Sequence, residues 1–430
     1  MKIKKFMILM KKMKISQHRP FLLSIFGGIF VWFFLFLLFP AKIVNNFSNE
    51  AFLYIIASYV ALVLGYFIFP KNKKKEISSI TISKGFIYSI IVLTLISFLL
   101  RYIDLFLYRK VSFTNTVWQN RALLSETNSN FLFIIASVCK QLYFIPIIFI
   151  FKNKIKDKKL LLYSLLLFLL PFIEGYIRGS RNGFFMPMAL LFIIFIYFNR
   201  IRFQKKDLIL ILTTCSILFI IATSIIINRE ASKTDNNYTS LTTSFFLNDF
   251  LKPNPQIFKT IHSIENQTLK KMFVSGFQFN QYYVHGVFEF DNLVKYYQKE
   301  AFNPQYGKYT FFVINRFTNK YGLSKTNLEK IQLLNPRKIT FITFFGGLYL
   351  DFGWLGIIIM ILYGSFQRFL VNKTLLQENK YLPLLIFLLF CNFFMLTFNF
   401  IKNTGTYILI VCFAVIFSVS LWKKLILKKK

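Results

Sequence analysis

Acidic residues are scarce in this sequence, and cysteine and histidine are scarcer still. The 430 residues include 17 Asp and Glu against 53 Lys and Arg, with four cysteines and three histidines. No cysteines have C-x-x-C spacing and the histidines form no local ligand motif, so neither a disulfide framework nor a metal site is predicted. Nucleotide-binding glycine-rich motifs and H-E-x-x-H are also missing. We therefore expect no cofactor.

Charged residues make up only 16% of the chain, whereas 55% is hydrophobic. Apolar runs recur, each long enough to cross a hydrocarbon core of about 30 Å, which takes ~20 helical residues. This pattern predicts an all-α, polytopic integral membrane protein with about ten transmembrane helices. The predicted spans are residues 21–39, 51–69, 85–105, 131–151, 160–177, 183–199, 208–228, 341–363, 382–400 and 405–422.

A polar segment, residues 229–340, separates the seventh and eighth predicted spans and is too long for a simple turn. It is rich in Tyr and Phe, whereas a disordered segment would be depleted in aromatic residues. We expect it to form a large extracytoplasmic loop of short helices. The predicted organisation is an N-terminal bundle of about seven spans (1–228), this cap loop (229–340) and a C-terminal bundle of about three spans (341–430).

The net charge of +36 would suit a nucleic-acid-binding protein, but the positions of the basic residues favour another explanation. They concentrate in short loops on one side of the predicted bundle, whereas the opposite short loops hold few, such as Lys42 and Lys402. Loops rich in Lys and Arg remain in the cytoplasm. Both termini are therefore predicted to be cytoplasmic, the cap loop faces outward, and no nucleic-acid partner is expected.

Two arginines depart from this rule. Arg178 and Arg181 lie between two apolar runs on the predicted outer side, in the sequence Arg178-Gly-Ser-Arg181-Asn182. Glu174 precedes Arg178 by one helical turn, so an ion pair is expected. Gly179 would let the backbone approach a ligand closely, and the planar guanidinium suits a phosphate group. The alternative is that both arginines extend to lipid headgroups.

Further charged residues lie on the predicted outer side. They are Arg101, Arg109, Arg121, Arg229 and Glu230. Together, such arginines would form an electropositive pocket suited to a diphosphate. His285 would serve as a general base, because the pKa of histidine lies near physiological pH. Asp351 falls inside the eighth predicted span and requires a partner there, such as an arginine. For each residue a purely structural role is the alternative.

The Arg178–Asn182 stretch, followed directly by an apolar span, resembles the corresponding turn of bacterial O-antigen polymerases, also called oligosaccharide repeat-unit polymerases. The number of spans and the single large late outer loop are also similar. Further segments that resemble this family are Arg229-Glu230, Asn315-Arg316-Phe317-Thr318-Asn319, and Thr343 to Gly356 with its Asp351-Phe352-Gly353. O-antigen ligases share the same general plan.

The resemblance implies an integral-membrane glycosyltransferase of the bacterial inner membrane. Such an enzyme polymerises polyprenyl-diphosphate-linked oligosaccharide repeat units on the outer face into O-antigen of lipopolysaccharide, capsule or a related surface polysaccharide. The alternatives are an O-antigen ligase or other lipid-linked glycan transferase, and a polysaccharide transporter or flippase. Partners implied besides membrane lipid are a chain-length regulator and a flippase.

The resemblance also implies roles for individual residues. The diphosphate would be bound by arginines in place of a metal ion, and His285 or Glu230 would activate the acceptor hydroxyl. The implied diphosphate ligands are Arg178, Arg181, Arg229, Arg121 and Arg316, with Glu174, Asn182 and Asp351 in support.

We predict that Arg181→Ala abolishes polymer while lipid-linked single repeat units are still made and exported. Arg181→Lys should also be impaired, because a point charge does not replace a bidentate fork. Gel analysis of surface glycan length measures both effects. Normal long-chain glycan in the Arg181→Ala strain would contradict the role assigned to this arginine.

Overall fold

The computed structural model describes residues 18–38, 41–44, 46–70, 82–126, 131–180, 182–200, 251–300, 302–337 and 341–428, with isolated positions between 204 and 220. Arg181, Arg229, Glu230 and nearly all of the predicted seventh span lie outside the described residues. The side chain of Arg121 lies outside them as well, although its backbone is described.

The described chain is almost entirely helical. We number the helices α1 Arg19–Leu38, α2 Asn49–Ile68, α3 Lys84–Ile103, α4 Val117–Glu126, α5 Phe131–Cys139, α6 Ile145–Lys152, α7 Lys158–Leu166, α8 Leu169–Ile177, α9 Asn182–Tyr197, α10 Pro255–Ser263, α11 Gln267–Val284, α12 Gly286–Lys299, α13 Phe312–Lys320, α14 Leu328–Leu333, α15 Phe344–Phe352, α16 Gly356–Leu375, α17 Leu382–Phe393 and α18 Thr406–Lys428. Short π- or 3₁₀-helical segments extend or join several of them, including Asp104–Tyr108, Lys140–Phe144 and Ile401–Gly405.

Seven helical segments of the described chain are long and apolar enough to cross a membrane. They are Arg19–Leu38, Asn49–Ile68, Lys84–Tyr108, Phe133–Lys152, Lys158–Ile177, Phe344–Leu375 and Ile401–Leu421. Each corresponds to a predicted span. Two other predicted spans, 183–199 and 382–400, correspond to shorter apolar helices, Asn182–Tyr197 and Asn379–Phe393. The all-α, polytopic membrane fold is therefore confirmed, although the number ten is not.

The eighth predicted span is longer than the sequence pattern indicates. It covers Phe344–Leu375 rather than 341–363, and it is interrupted at Gly353. Gly353 has φ +55°, which favours glycine, and a Cβ there would lie 2.9 Å from the Phe302 ring. Tyr54 on α2 donates a hydrogen bond to the Gly353 carbonyl at 3.1 Å. The span therefore consists of two helices, α15 and α16, which meet at this break.

Helix α17 forms the centre of the bundle. Its residues from Leu382 to Asn392 are all buried, and it packs against α1, α9, α16 and α18. Helix α17 is therefore surrounded by other helices of the protein rather than by lipid.

Helices α10–α14 form a cap on one side of the bundle. A short antiparallel ladder pairs β1 (Ala41–Ile43), which follows α1, with β2 (Leu251–Pro253), which precedes α10. The cap is also tied to the start of α2, where Ser48 donates to the Asp291 carboxylate from its backbone N–H at 2.8 Å. We call the side of the bundle that carries this ladder and α10–α14 the cap face.

Glycines bring α2 and α16 into close contact. A Cβ on Gly65 would lie 2.0 Å from the Ile361 carbonyl oxygen, and one on Gly364 would lie 2.1 Å from that of Leu62. Small residues permit such close packing between membrane helices, where no hydrophobic effect drives association.

Gly364→Ala should therefore destabilise the protein by about 1–3 kcal/mol, because the added methyl group forces the two backbones apart. Thermal unfolding of the detergent-solubilised protein measures the loss. Gly85→Ala is the matched control, because a Cβ at Gly85 would meet only the Ser83 hydroxyl, at 3.9 Å. Equal stability of the two variants would contradict this account of the α2–α16 contact.

Candidate functional site

The turn after α8 is a helix-capping motif. Gly179 has φ +56°, its N–H donates to the Tyr176 carbonyl at 3.0 Å, and the Ser180 N–H donates to the Gly175 carbonyl at 2.8 Å. These two hydrogen bonds, with Gly179 in the left-handed conformation, define a Schellman motif. This motif usually has glycine at the left-handed position. Gly179 thus ends α8 abruptly and leaves Arg178 at the helix terminus.

The predicted ion pair between Glu174 and Arg178 is present, and two further cations share the same carboxylate. Glu174 Oε1 accepts from Arg178 Nη1 at 3.2 Å and from Arg101 Nε at 2.9 Å, while Oε2 accepts from Lys140 Nζ at 2.6 Å. The Glu174 and Arg101 side chains are buried, whereas the Arg178 side chain is 41% exposed. One carboxylate therefore joins α3, the Lys140–Phe144 segment and α8.

A second carboxylate extends this group of charges. Asp104 Oδ2 accepts hydrogen bonds from Arg101 and from Arg109 Nε, the latter at 2.9 Å. Both guanidinium groups lie 4.9 Å from the centroid of the Phe133 ring, within cation–π range. We call Arg101, Asp104, Arg109, Lys140, Glu174 and Arg178 the Glu174 cluster. It contains four cations and two carboxylates.

A cavity of about 80 Å³ adjoins the Glu174 cluster. Arg178, Lys140 and Glu174 line it, together with Asn182 and Gly183 at the start of α9. The N-terminus of a helix carries a partial positive charge and unpaired N–H groups, which favour an anion. Arg178 and Lys140 therefore face the same space as this helix terminus.

Close backbone contact between α8 and α9 shapes the cavity. A Cβ on Gly183 would lie 2.6 Å from Gly175 Cα, and one on Gly175 would lie 2.9 Å from Gly183 Cα. Only glycine permits this approach, which brings the start of α9 beside Arg178.

His285 lies between α11 and α12 in the cap. It is 8% exposed, and its Nδ1 lies 3.0 Å from the Gln281 carbonyl oxygen. A carbonyl oxygen only accepts, so this contact requires a proton on Nδ1 and leaves the basic lone pair of the neutral ring on Nε2. One turn later on α12, the buried Glu289 pairs with Arg337 at 3.4 Å.

Aromatic contacts connect the His285 region to the cavity. Phe185 on α9, three residues after Asn182, lies 5.5 Å from Tyr283, two residues before His285. Tyr283 also contacts Phe398, in the segment that leads to Thr404 at the cavity. The structure thus places His285 and the Glu174 cluster in adjoining parts of the cap face.

Two other predicted residues do not line this cavity. Asp351 is fully buried and accepts hydrogen bonds from the backbone N–H groups of Tyr309 and Thr310, at 2.8 and 2.9 Å. Its hydrogen-bond donors in the described structure include these backbone groups and the Thr310 side chain, where an arginine was expected. Arg316 is an exposed residue of α13, which packs against the Ile401–Gly405 segment.

Sequence reasoning did not single out Lys140, Glu289 or Arg337. Lys140 carried a usable signal, because a lone lysine inside an apolar run is a functional candidate by default. Glu289 and Arg337 are ordinary charges of a polar segment, and only the fold brings them together. In the described part of the chain, no three His, Cys, Asp or Glu residues lie close enough to hold a metal ion.

The fold and this site define a multi-pass membrane protein with a cationic cavity at one membrane surface beneath a helical cap. The family model of the O-antigen polysaccharide polymerase Wzy matches residues 6–249, more than half of the chain, and the protein belongs to that family. No curated protein and no solved structure matches the chain.

Family membership establishes what the protein does. It is a multi-pass inner-membrane polymerase that acts on lipid-linked oligosaccharide repeat units and joins them into O-antigen. The matched residues include the Glu174 cluster but end before His285, Arg316 and Asp351. The ligase and flippase alternatives gain no comparable support.

Glu174→Gln should destabilise the protein by about 3–5 kcal/mol, because it leaves buried cations without their shared charge partner. Thermal unfolding in detergent measures the loss. Asp157→Asn is the control, since Asp157 pairs with the exposed Lys84 and asparagine also caps α7. Unfolding of both variants at the wild-type temperature would show that Glu174 does not hold this site together.

Proposed function

We propose that the Glu174 cluster and its cavity bind the diphosphate of a polyprenyl-diphosphate-linked repeat unit during polymerisation. The position of Arg178 and Lys140 in the lining of a cavity beside the α9 N-terminus is the observation that supports this proposal most strongly. Cations that line a cavity at membrane depth favour an anionic ligand. A lipid-linked diphosphate supplies that anion at the depth of a membrane surface.

Arg178 and Lys140 are the proposed direct ligands, because both line the cavity. Arg101 and Arg109 are held by Glu174 and Asp104, so they contribute charge rather than contact. Arg181 follows the capped end of α8 by three residues and is proposed as a further ligand. Arg229, Arg121 and Arg316 remain proposed ligands from the family resemblance.

The proposed reaction is the transfer of a glycan from one lipid diphosphate to another lipid-linked unit. A sugar hydroxyl of the acceptor attacks the anomeric carbon of the donor, and a glycosidic C–O bond forms. The bond from that carbon to the diphosphate oxygen breaks, and the lipid diphosphate leaves with the electron pair. The cationic cavity stabilises the charge that develops on this leaving group, which is the task a metal ion performs elsewhere.

His285 is the proposed general base that accepts the hydroxyl proton. The Gln281 contact requires a proton on Nδ1, so a neutral ring carries its lone pair on Nε2, as a base requires. Glu230 is the alternative base. In this proposal the cap face is the outer side of the membrane and both termini are cytoplasmic. A flippase would supply the substrate and a chain-length regulator would act beside the enzyme.

Arg178→Ala should reduce the polymerisation rate about 10²- to 10³-fold, as expected when one preorganised donor to a developing anion is lost. Arg178→Lys should be impaired less, because lysine keeps the positive charge but lacks the planar guanidinium that can donate two hydrogen bonds to one phosphate. The test is complementation of a deletion strain, with gel analysis of surface glycan length and immunoblotting for protein amount.

Arg200→Ala is the matched control for Arg178→Ala. Arg200 is an exposed arginine just beyond the other end of α9, where it lies 4.7 Å from the Phe151 ring centroid. This variant should make normal polymer. If Arg178→Ala also makes full-length polymer at wild-type protein levels, the proposed diphosphate site is wrong.

A polymerisation assay on purified lipid-linked repeat units tests whether the reaction requires a metal ion. Activity should survive a chelator such as EDTA, because the cluster supplies the charge that would otherwise come from a divalent ion. Complete loss of activity that returns on adding back a divalent cation would refute metal independence. The roles of the arginines would still be tested separately by the arginine variants.

A further inference from the structure

The cap contains a second and much larger cavity, which the diphosphate site does not involve. It has a volume of about 770 Å³ and lies between the end of α12, the loop of residues 303–308 and the start of α14. Ligand pockets in proteins typically measure roughly 300–1,000 Å³. We call this cavity the cap cleft.

The lining of the cap cleft combines aromatic rings with hydrogen-bonding groups. Tyr296 and Tyr306 line it with 43% and 71% of their surfaces exposed, and Asn303, Gln305 and Lys330 lie beside them. Pockets for apolar ligands are lined mainly by hydrophobic side chains, and this one is not. Sugar rings present C–H groups on their faces and hydroxyls at their edges. Tyrosine rings and amide groups complement both surfaces.

The loop that carries Tyr306 is held in place by the membrane helix α15. The backbone N–H groups of Gln305 and Tyr306 donate to the carbonyls of Leu350 and Asp351, at 3.2 and 2.8 Å. Tyr306 itself has φ +50°, a conformation that bulky residues rarely adopt. The surrounding bonds therefore hold the exposed Tyr306 in a strained conformation, which is typical of functional positions.

The Asp351 carboxylate strengthens the same attachment, because it accepts the next two backbone N–H groups of the loop, from Tyr309 and Thr310. The opposite wall is fixed as well. The Tyr297 hydroxyl donates to the Leu334 carbonyl at 2.8 Å, and burial raises the pKa of Tyr297 to about 12, so it remains a donor at physiological pH. The cap cleft is thus preorganised, which lowers the entropic cost of binding.

We propose that the cap cleft is a saccharide-binding site that holds sugar units of a lipid-linked substrate away from the reacting bond. Tyr306 and Tyr296 stack on sugar rings, while the amides and lysines of the cleft bind hydroxyl groups. This inference rests on the polymerase activity of the family. A site of this kind keeps a growing glycan bound between additions and so favours longer products.

The binding test uses the full-length protein in lipid nanodiscs. The probe is the repeat-unit oligosaccharide released by mild acid from the surface polysaccharide of the strain that carries the gene. Isothermal titration should detect wild-type binding, and Tyr306→Ala and Tyr296→Ala should each weaken it about tenfold. Tyr306→Phe should bind as the wild type does, because the ring remains.

Tyr321→Ala is the matched control. Tyr321 is 50% exposed on the same cap but does not line the cleft, so its loss should leave binding unchanged. The proposal is overturned if the wild type does not bind at about 1 mM probe. It is also overturned if Tyr306→Ala binds normally, or if Tyr321→Ala weakens binding equally.

The surface glycan made by cells distinguishes this proposal from the proposed diphosphate site. Tyr306→Ala should shorten the surface glycan without abolishing it, whereas Arg178→Ala should abolish polymer and leave saccharide binding intact. Polymer of normal length from Tyr306→Ala would contradict the proposed saccharide site but not the proposed diphosphate site. Normal polymer from Arg178→Ala would overturn the diphosphate site alone.

Discussion

The Glu174 carboxylate holds together the part of the bundle on which the proposed site depends. It accepts hydrogen bonds from Arg101, Lys140 and Arg178, which belong to three separate segments. Removing this carboxylate would take away the charge partner that Lys140 and the buried Arg101 share. The same group therefore stabilises the fold and holds Lys140 and Arg178 at the cavity of the proposed diphosphate site.

Two attachments between the bundle and the cap then organise the remainder of the site. Phe185 on α9 packs against Tyr283, which links the cationic cavity to the neighbourhood of His285. Asp351 on α15 holds the loop that lines the cap cleft. Substrate lipid, diphosphate and sugar differ greatly in polarity. The proposed diphosphate site at the membrane surface and the proposed saccharide site in the polar cap would give two of these parts different environments.

Much of the fold was predictable because crossing a membrane constrains a sequence strongly. Each of the seven long apolar helices matches a predicted span, since about 20 apolar residues are needed for each crossing. The break at Gly353 was not predicted, because an apolar run shows no sign of a local change in backbone direction. The ion pair between Glu174 and Arg178 was predicted correctly from their spacing of one helical turn.

The cap and the wider charge cluster were less accessible to sequence reasoning. Short helices joined by polar loops were expected in the cap, but neither the cap cleft nor the pairing of Glu289 with Arg337 followed from any local pattern. Asp351 was expected to need a partner, and its donors are backbone N–H groups about 40 positions earlier in the chain. Such contacts depend on how separate segments pack.

By itself, the sequence determined that this is a multi-pass helical membrane protein. It also showed arginines on the predicted outer side, where the rule that basic loops remain in the cytoplasm does not account for them. Hydropathy and charge act locally along the chain, so both can be read without knowing the fold. Only the tertiary structure decided that Arg101 and Lys140 share a carboxylate with Arg178, and that this cluster faces the start of α9. Electrostatic interactions act through space, and residues far apart in sequence become neighbours only when the helices pack.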